Sequence, residues 1–345
     1  MQVFFFFLNR LLMSFYFDFC LHVIKSSFLL SLVLEDEIIL AGIKMDTRTI
    51  SVLANAISRR KRETSSLTVI KSDFRFVHIV VLIKAIPLLR TALNMSYNRI
   101  GPNGVSCLFG VLPKCSLCIL DLTDNSIGSE GATAIADAFL TNTIMLTDLS
   151  LSFNNIGSDG AQVIGKALSS CKHRLRHLSL YDNNIGDDGA CAFKDVNIKS
   201  IDMSINGIGA RGAEYLADNL YVESLSLHYN RIGSAGANAF VNSKSRALID
   251  IDVWGNHLQP IYWKRIRDRI LENRIEMLIP AWVEYILGRA IALPFNTEVS
   301  ARIICMAFFG EKHLQEWETE EGMNKGMKRL FPMAEKTLFL RLSNI

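Results

Sequence analysis

Residues 117–128 read LCILDLTDNSIG, residues 146–157 read LTDLSLSFNNIG and residues 175–186 read LRHLSLYDNNIG. In all three, an apolar residue fills the first, fourth and sixth places, asparagine the ninth, and Ile-Gly the last two. Looser copies flank them: RTALNMSYNRIG at 90–101, IKSIDMSINGIG at 198–209, VESLSLHYNRIG at 222–233 and LIDIDVWGNHL at 248–258. The marker asparagines, Asn98, Asn125, Asn154, Asn183, Asn206, Asn230 and Asn256, stand 27, 29, 29, 23, 24 and 26 residues apart. Self-similarity on this scale marks a chain built by stacking one unit on the next.

Each copy continues alike, as GSEGATAIADAFL at 128–140 and GSDGAQVIGKAL at 157–168. Ser129, Ser158, Asp187 and Ser234 stand where a helix N-cap is wanted. Behind them Ala132, Ile135, Ala136 and Phe139 recur at helical spacing. The unit is predicted to be a short strand, a turn and a helix.

The pattern L-x-x-L-x-L-x-x-N-x-L is that of leucine-rich repeats. With a helical second half and intervals up to 29 residues, the stretch 88–258 resembles the ribonuclease-inhibitor class of these proteins. The resemblance implies an α/β solenoid, a horseshoe with parallel strands on its concave face and helices on its convex face. Leu120 with Leu122 and Leu149 with Leu151 are expected to point inward and stack on equivalent leucines, because no unit buries that face alone. The asparagines are read as structural, satisfying backbone groups where the chain leaves each strand.

The flanks read differently. Residues 1–45 form an apolar extension in which Arg10, Asp18, His22 and Lys25 interrupt the runs. These charges argue against a membrane span, each costing about 2.5–3.5 kcal/mol near the bilayer centre. No secretory cleavage pattern is evident, and Met45 is read as the working start, the other reading of 1–45 being a weak membrane segment. Residues 46–88 are read as an N-terminal cap with one eroded repeat, a strand near Leu67–Ile70 and an apolar helix ended by Pro87. The basic run Arg59–Arg62 there is read as a solvated helix end. The repeats themselves span 89–258. Residues 259–345 are read as a small helical C-terminal cap, with helices Ile261–Leu278, Ala281–Leu293 and Thr297–Phe309 punctuated by Pro280 and Pro294.

The 345 residues carry 37 basic and 34 acidic side chains, a net charge of +3, so no overall field argues for nucleic acid. Seven cysteines at irregular spacing read as reduced thiols, placing the chain in the cytoplasm. The sequence Gly160-Ala-Gln-Val-Ile-Gly165-Lys166-Ala167 imitates a phosphate loop but ends in Ala where Mg²⁺ needs a hydroxyl. Cys115-x-x-Cys118 lacks a second ligand pair, and Cys171, His173 and His177 belong to an ordinary surface cluster. Asn94-Met-Ser96 matches a glycosylation acceptor but falls within a repeat strand. No nucleophile and base are tied together by spacing, so neither catalysis, metal nor cofactor is expected.

The third, fifth, seventh and eighth places of each repeat are predicted to face away from the helices. Over seven repeats these 28 positions hold seven Asp and no Lys or Arg. They also hold Tyr97, Phe153, Tyr181, Tyr229 and Trp254, with His177 and His228. The aspartates are Asp121, Asp124, Asp148, Asp182, Asp202, Asp250 and Asp252. Exposed aromatics among acceptors suit a protein-binding surface, and the carboxylates would steer a basic partner toward it. The expected function is a non-enzymatic intracellular scaffold binding a protein partner, with neither nucleic acid nor membrane engaged. An alternative from the resemblance is a GTPase-activating protein, with Arg99 and Arg231 as the candidate residues. Another is a secreted bacterial effector acting in a host cytosol, suggested by the acidic cluster Glu316, Glu318, Glu320 and Glu321 before an apolar tail.

Overall fold

The computed structural model describes residues 37–42, 44, 46–59, 64–172, 175–219 and 221–289. Among these residues nine strands are formed: β1 Glu37–Ala41, β2 Thr64–Ile70, β3 Leu89–Asn94, β4 Ile119–Asp121, β5 Asp148–Ser150, β6 His177–Ser179, β7 Asn197–Asp202, β8 Tyr221–Ser226 and β9 Asp250–Asp252. Between them run α1 Thr47–Ser58, α2 Phe76–Leu82, α3 Gly101–Val111, α4 Gly128–Leu140, α5 Gly157–Ser170, α6 Gly186–Cys191, α7 Ala210–Asn219 and α8 Gly233–Asn242; α9 Pro260–Arg289 follows β9. The strands lie in chain order in one open parallel sheet, an α/β leucine-rich-repeat solenoid. A parallel neighbour requires a crossover, and the helix of each unit supplies it.

The register is set by the apolar places. Leu93, Leu120, Leu149, Leu178, Ile201 and Leu225 are successive cross-strand partners, and none is more than 2% exposed. Two residues on, Met95, Leu122, Leu151, Leu180, Met203 and Leu227 are wholly buried. Period-two alternation sends both rows to the helix side of the sheet.

The array begins earlier than the repeat pattern indicates. β1 lies inside the stretch read as an extension, and its Ile38 and Leu40 pair in register with Leu67 and Val69 of β2. In the β2 unit the asparagine's place is taken by Ser72, only 1% exposed. Its Oγ lies 3.0 Å from the carbonyl of Ile70 and 3.4 Å from that of Leu40. A hydroxyl thus does part of the amide's work, and the ninth-place marker is lost from the sequence. The apolar helix before Pro87 is α2, which stops at Leu82, with a one-turn 3₁₀ segment at Ile86–Leu88.

Two other expectations are corrected. The helices α4, α5, α6 and α8 start at the glycine, and no side chain caps them. Gly128, Gly157, Gly186 and Gly233 make the turn with φ between 59° and 69°. The amides of the first three donate to the carbonyls of Asn154, Asn183 and Asn206 in the following unit. Ser129, Ser158, Asp187 and Ser234 therefore sit within the first turn. Asp187 reaches across instead, its Oδ1 accepting from the amides of Gly209 (2.6 Å) and Gly212 (3.0 Å) at the start of α7. Pro280 likewise does not end a helix, since α9 runs through it to Arg289. The expected segments beyond 289 lie outside the described residues.

The described residues divide into two compact units: one holds those through Ser245 and Ile251–Gln259, the other Arg246–Asp250 and Pro260–Arg289. In the second, Asn273 Nδ2 donates to the Leu248 carbonyl at 2.7 Å, and Arg246 pairs with Glu276 at 3.2 Å.

Within the array, Gly165 of α5 permits a close approach. A Cβ there would lie 2.6 Å from the carbonyl oxygen of Ala192, which is backbone and cannot swing aside. Gly165→Ala is expected to destabilise the protein by about 1–3 kcal/mol, overriding the gain of up to about 1 kcal/mol in helix propensity. A urea midpoint equal to or above that of the parent would contradict this.

Candidate interaction surface

The exposed face is built by the asparagine ladder beneath it. Asn154 Oδ1 accepts from the amides of Asn125 (2.8 Å) and Ile127 (3.3 Å), and Nδ2 lies 2.8–3.0 Å from the carbonyls of Leu122, Leu151 and Ser152. Asn183 does the same for Asn154 and Ile156, Asn206 for Asn183 and Ile185, and Asn230 for Asn206 and Ile208. At the ends of the series Asn98 accepts from Ser72 and Phe74, and Asn256 from Ile232. All seven asparagines are buried, and each has partners on both Oδ1 and Nδ2, as a buried amide requires.

Turning into the ladder forces the residue before each asparagine into left-handed backbone. Tyr97, Asp124, Phe153, Asp182, Ile205 and Tyr229 have φ between 52° and 58°, and Gly255 has φ 74°. This conformation costs a non-glycine residue about 1–2 kcal/mol, so Gly, Asn or Asp would be the ordinary occupant. Three of the seven places instead carry aromatics, Tyr97, Phe153 and Tyr229, exposed by 46%, 44% and 51%. Bulky side chains kept at strained, solvent-facing positions point to use of those side chains.

The structure brings most of the predicted aromatics together. Phe153 and Tyr181 have ring centroids 5.0 Å apart, Tyr181 and His228 5.6 Å, His228 and Tyr229 5.7 Å, and Tyr229 and Trp254 4.7 Å. Five rings thus run continuously past the ends of β5–β9. Tyr97 stands apart from them, with Lys71 Nζ 5.2 Å from its ring centroid.

The aspartates divide by role. Asp121, Asp202 and Asp252 each accept, at 2.9 Å, the amide two residues on, from Thr123, Ser204 and Trp254. Asn94 accepts from Ser96 in the same way in the β3 unit. The fifth place therefore shapes the strand end as well as carrying charge, and an amide serves as well as a carboxylate. Asp148 accepts from the Thr147 hydroxyl. Asp250 belongs to the second unit and pairs with Arg274 at 3.4 Å, so it leaves the set of unpaired face carboxylates. Asp124 is exposed, Asp182 half-buried, and His177 exposed on β6.

Sequence reasoning missed Lys71 and a set of hydroxyl contacts across strands. Thr123 meets Ser150, Ser152 meets Ser179 and Ser204 meets Ser226, each pair with oxygens 2.8 Å apart. Their signal was the recurrence of Ser and Thr at the fifth and seventh places. His228 Nδ1 lies 2.9 Å from Ser204 Oγ and 3.4 Å from Asp252 Oδ2.

The remaining motifs fall as follows. Gly160 to Ala167 lie inside α5, so no phosphate-cradling loop is formed. Burial pushes the Cys115 thiol up to about 11, an inert thiol at neutral pH. His173 lies outside the described residues, and among those described no three His, Cys, Asp or Glu converge as metal ligands. Arg99 is exposed, 3.7 Å from Asp73, and Arg231 is exposed. No helix among the described residues is long and apolar enough to cross a membrane.

A family model described as Leucine Rich repeat matches six segments, residues 91–109, 114–136, 144–165, 172–193, 195–217 and 218–241. No curated protein matches the chain.

Proposed function

Starting from the fact that residues 91–241 are a leucine-rich-repeat array, we propose that the protein is a non-enzymatic scaffold holding a partner protein on its exposed sheet face. Stacked repeats generally serve as extended binding surfaces. The observation that carries the reading is the five-ring run from Phe153 to Trp254, bordered by Asp182, Asp202 and Asp252. Rigid aromatics anchor protein interfaces at low entropic cost, and the carboxylates favour a partner with a basic surface. The free thiols of Cys107, Cys115, Cys118, Cys171 and Cys191 support a reducing compartment, the cytoplasm.

The test separates charge from structure. Asp121→Asn with Asp202→Asn keeps both amide acceptors, as Asn94 does naturally, while removing two charges. The partner recovered by affinity capture is then titrated between about 50 and 500 mM salt, a range over which screening changes strongly. The parent is expected to lose affinity steeply with salt and the double variant to respond less. Identical affinities at every salt concentration would refute the acidic-face reading.

A further inference from the structure

Building on that reading, we infer that the aromatic run at the ends of β5–β9 is a subsite for a lysine or arginine side chain of the partner, while at the Tyr97 end of the face the same kind of place is filled by the chain's own Lys71. The face itself supplies the first evidence. Tyr97 and Tyr229 occupy the same place in their repeats and share left-handed backbone, with φ 58° and 52°. Over Tyr97 sits an ammonium, Lys71 Nζ, 5.2 Å from the ring centroid. Among the described residues no cation lies over Tyr181, Tyr229 or Trp254. Tyr229 and Trp254 are 51% and 57% exposed.

Chemistry selects the occupant. Aromatic faces carry negative quadrupole potential and attract cations within about 6 Å. Carboxylates reinforce that potential from several sides. Asp252 lies beside His228 at 3.4 Å and binds the Trp254 amide. The Tyr181 phenol is pushed above its ordinary range, by burial first and then by the nearby Asp182 and Asp202. An anionic ligand would meet repulsion from each of these groups. Tyr229 packs nearly perpendicular on Trp254, with 84° between ring planes, and a ring already packed on its neighbour has less freedom to lose when a cation arrives.

The experiment uses the full chain, isotope-labelled, with a short alternating Gly-Lys peptide and its Nε-acetylated counterpart as probes. The Trp254 indole N–H resonance, assigned by its absence from Trp254→Phe, is expected to shift and saturate with the lysine peptide and to stay fixed with the acetylated one. Tyr229→Leu with Trp254→Leu is expected to weaken lysine-peptide binding about tenfold. Lys71→Gln is expected to uncover Tyr97, whose resonances should then respond to the peptide as they do not in the parent. Arg99→Gln removes an equal charge nearby and serves as the control for simple electrostatics.

Undiminished binding by the double leucine variant, or equal response to the acetylated peptide, would overturn the subsite. A Tyr97 that stays silent in Lys71→Gln would overturn its self-occupied counterpart. A partner that docks on this face with no cation over the rings would end this inference and leave the scaffold reading standing. A partner that docks on the helices would end the scaffold reading itself.

Discussion

Asn154→Ala is expected to be among the most damaging single substitutions in the array, lowering stability by about 2–6 kcal/mol. The figure follows from the two amides, of Asn125 and Ile127, that lose their acceptor in a dry interior, at about 1–3 kcal/mol for each orphaned group. The carbonyl of Leu122 is cushioned, because it also accepts from Asn125 Nδ2. A repeat array is held together only by contacts between neighbours, so the break should weaken the junction between the β4 and β5 units most. Urea unfolding followed by circular dichroism measures the loss, and amide exchange at Asn125 and Ile127 locates it. Asn155→Gly provides the comparison: Asn155 is exposed with φ 51°, which glycine adopts freely. Equal midpoints for Asn154→Ala and the parent would show that the ladder carries no net stability.

The second large effect is expected at the β1 edge of the sheet. Ile38→Ala with Leu40→Ala should cost about 2–5 kcal/mol at each site, the range for emptied aliphatic positions in a packed core. Both side chains have no exposure, and they lie in register with Leu67 and Val69, which are equally buried. A chain beginning at Met45 should show the same loss, since it lacks β1 and bares the β2 edge. If that shortened chain unfolds at the parent's urea midpoint, β1 stands outside the cooperative array and the structural core starts at β2.

Legibility in the sequence followed the strength of the repeat. Where the ninth residue is asparagine, the strand, the turn, the inward leucines and the burial of the amide all follow from spacing, because a stacked unit has one way to bury its apolar edge. Where Ser72 stands in for asparagine, the repeat is legible only as an eroded one with a strand near Leu67–Ile70, and β1 before it falls in the stretch read as an extension. The helix starts were misplaced because the cap rule assumes a side chain completes the first turn, whereas here a left-handed glycine and the next unit's carbonyl do so. The aspartate roles were half visible. Their position on the face followed from the period of the strand, but the bond from Asp202 to the Ser204 amide depends on local geometry that composition does not encode.

The sequence by itself determined that this protein is a stack of strand–helix units, which side chains face inward, and that its outward places are rich in Asp and aromatics and free of Lys and Arg. A periodic pattern repeats local information, so one unit read correctly serves for its neighbours. Only the tertiary structure decided that Phe153, Tyr181, His228, Tyr229 and Trp254 form one run, that Lys71 covers Tyr97, and that Asp250 is paired with Arg274. Each of those depends on distances between side chains brought together by stacking or by return of the chain, and such distances arise only when the units are assembled.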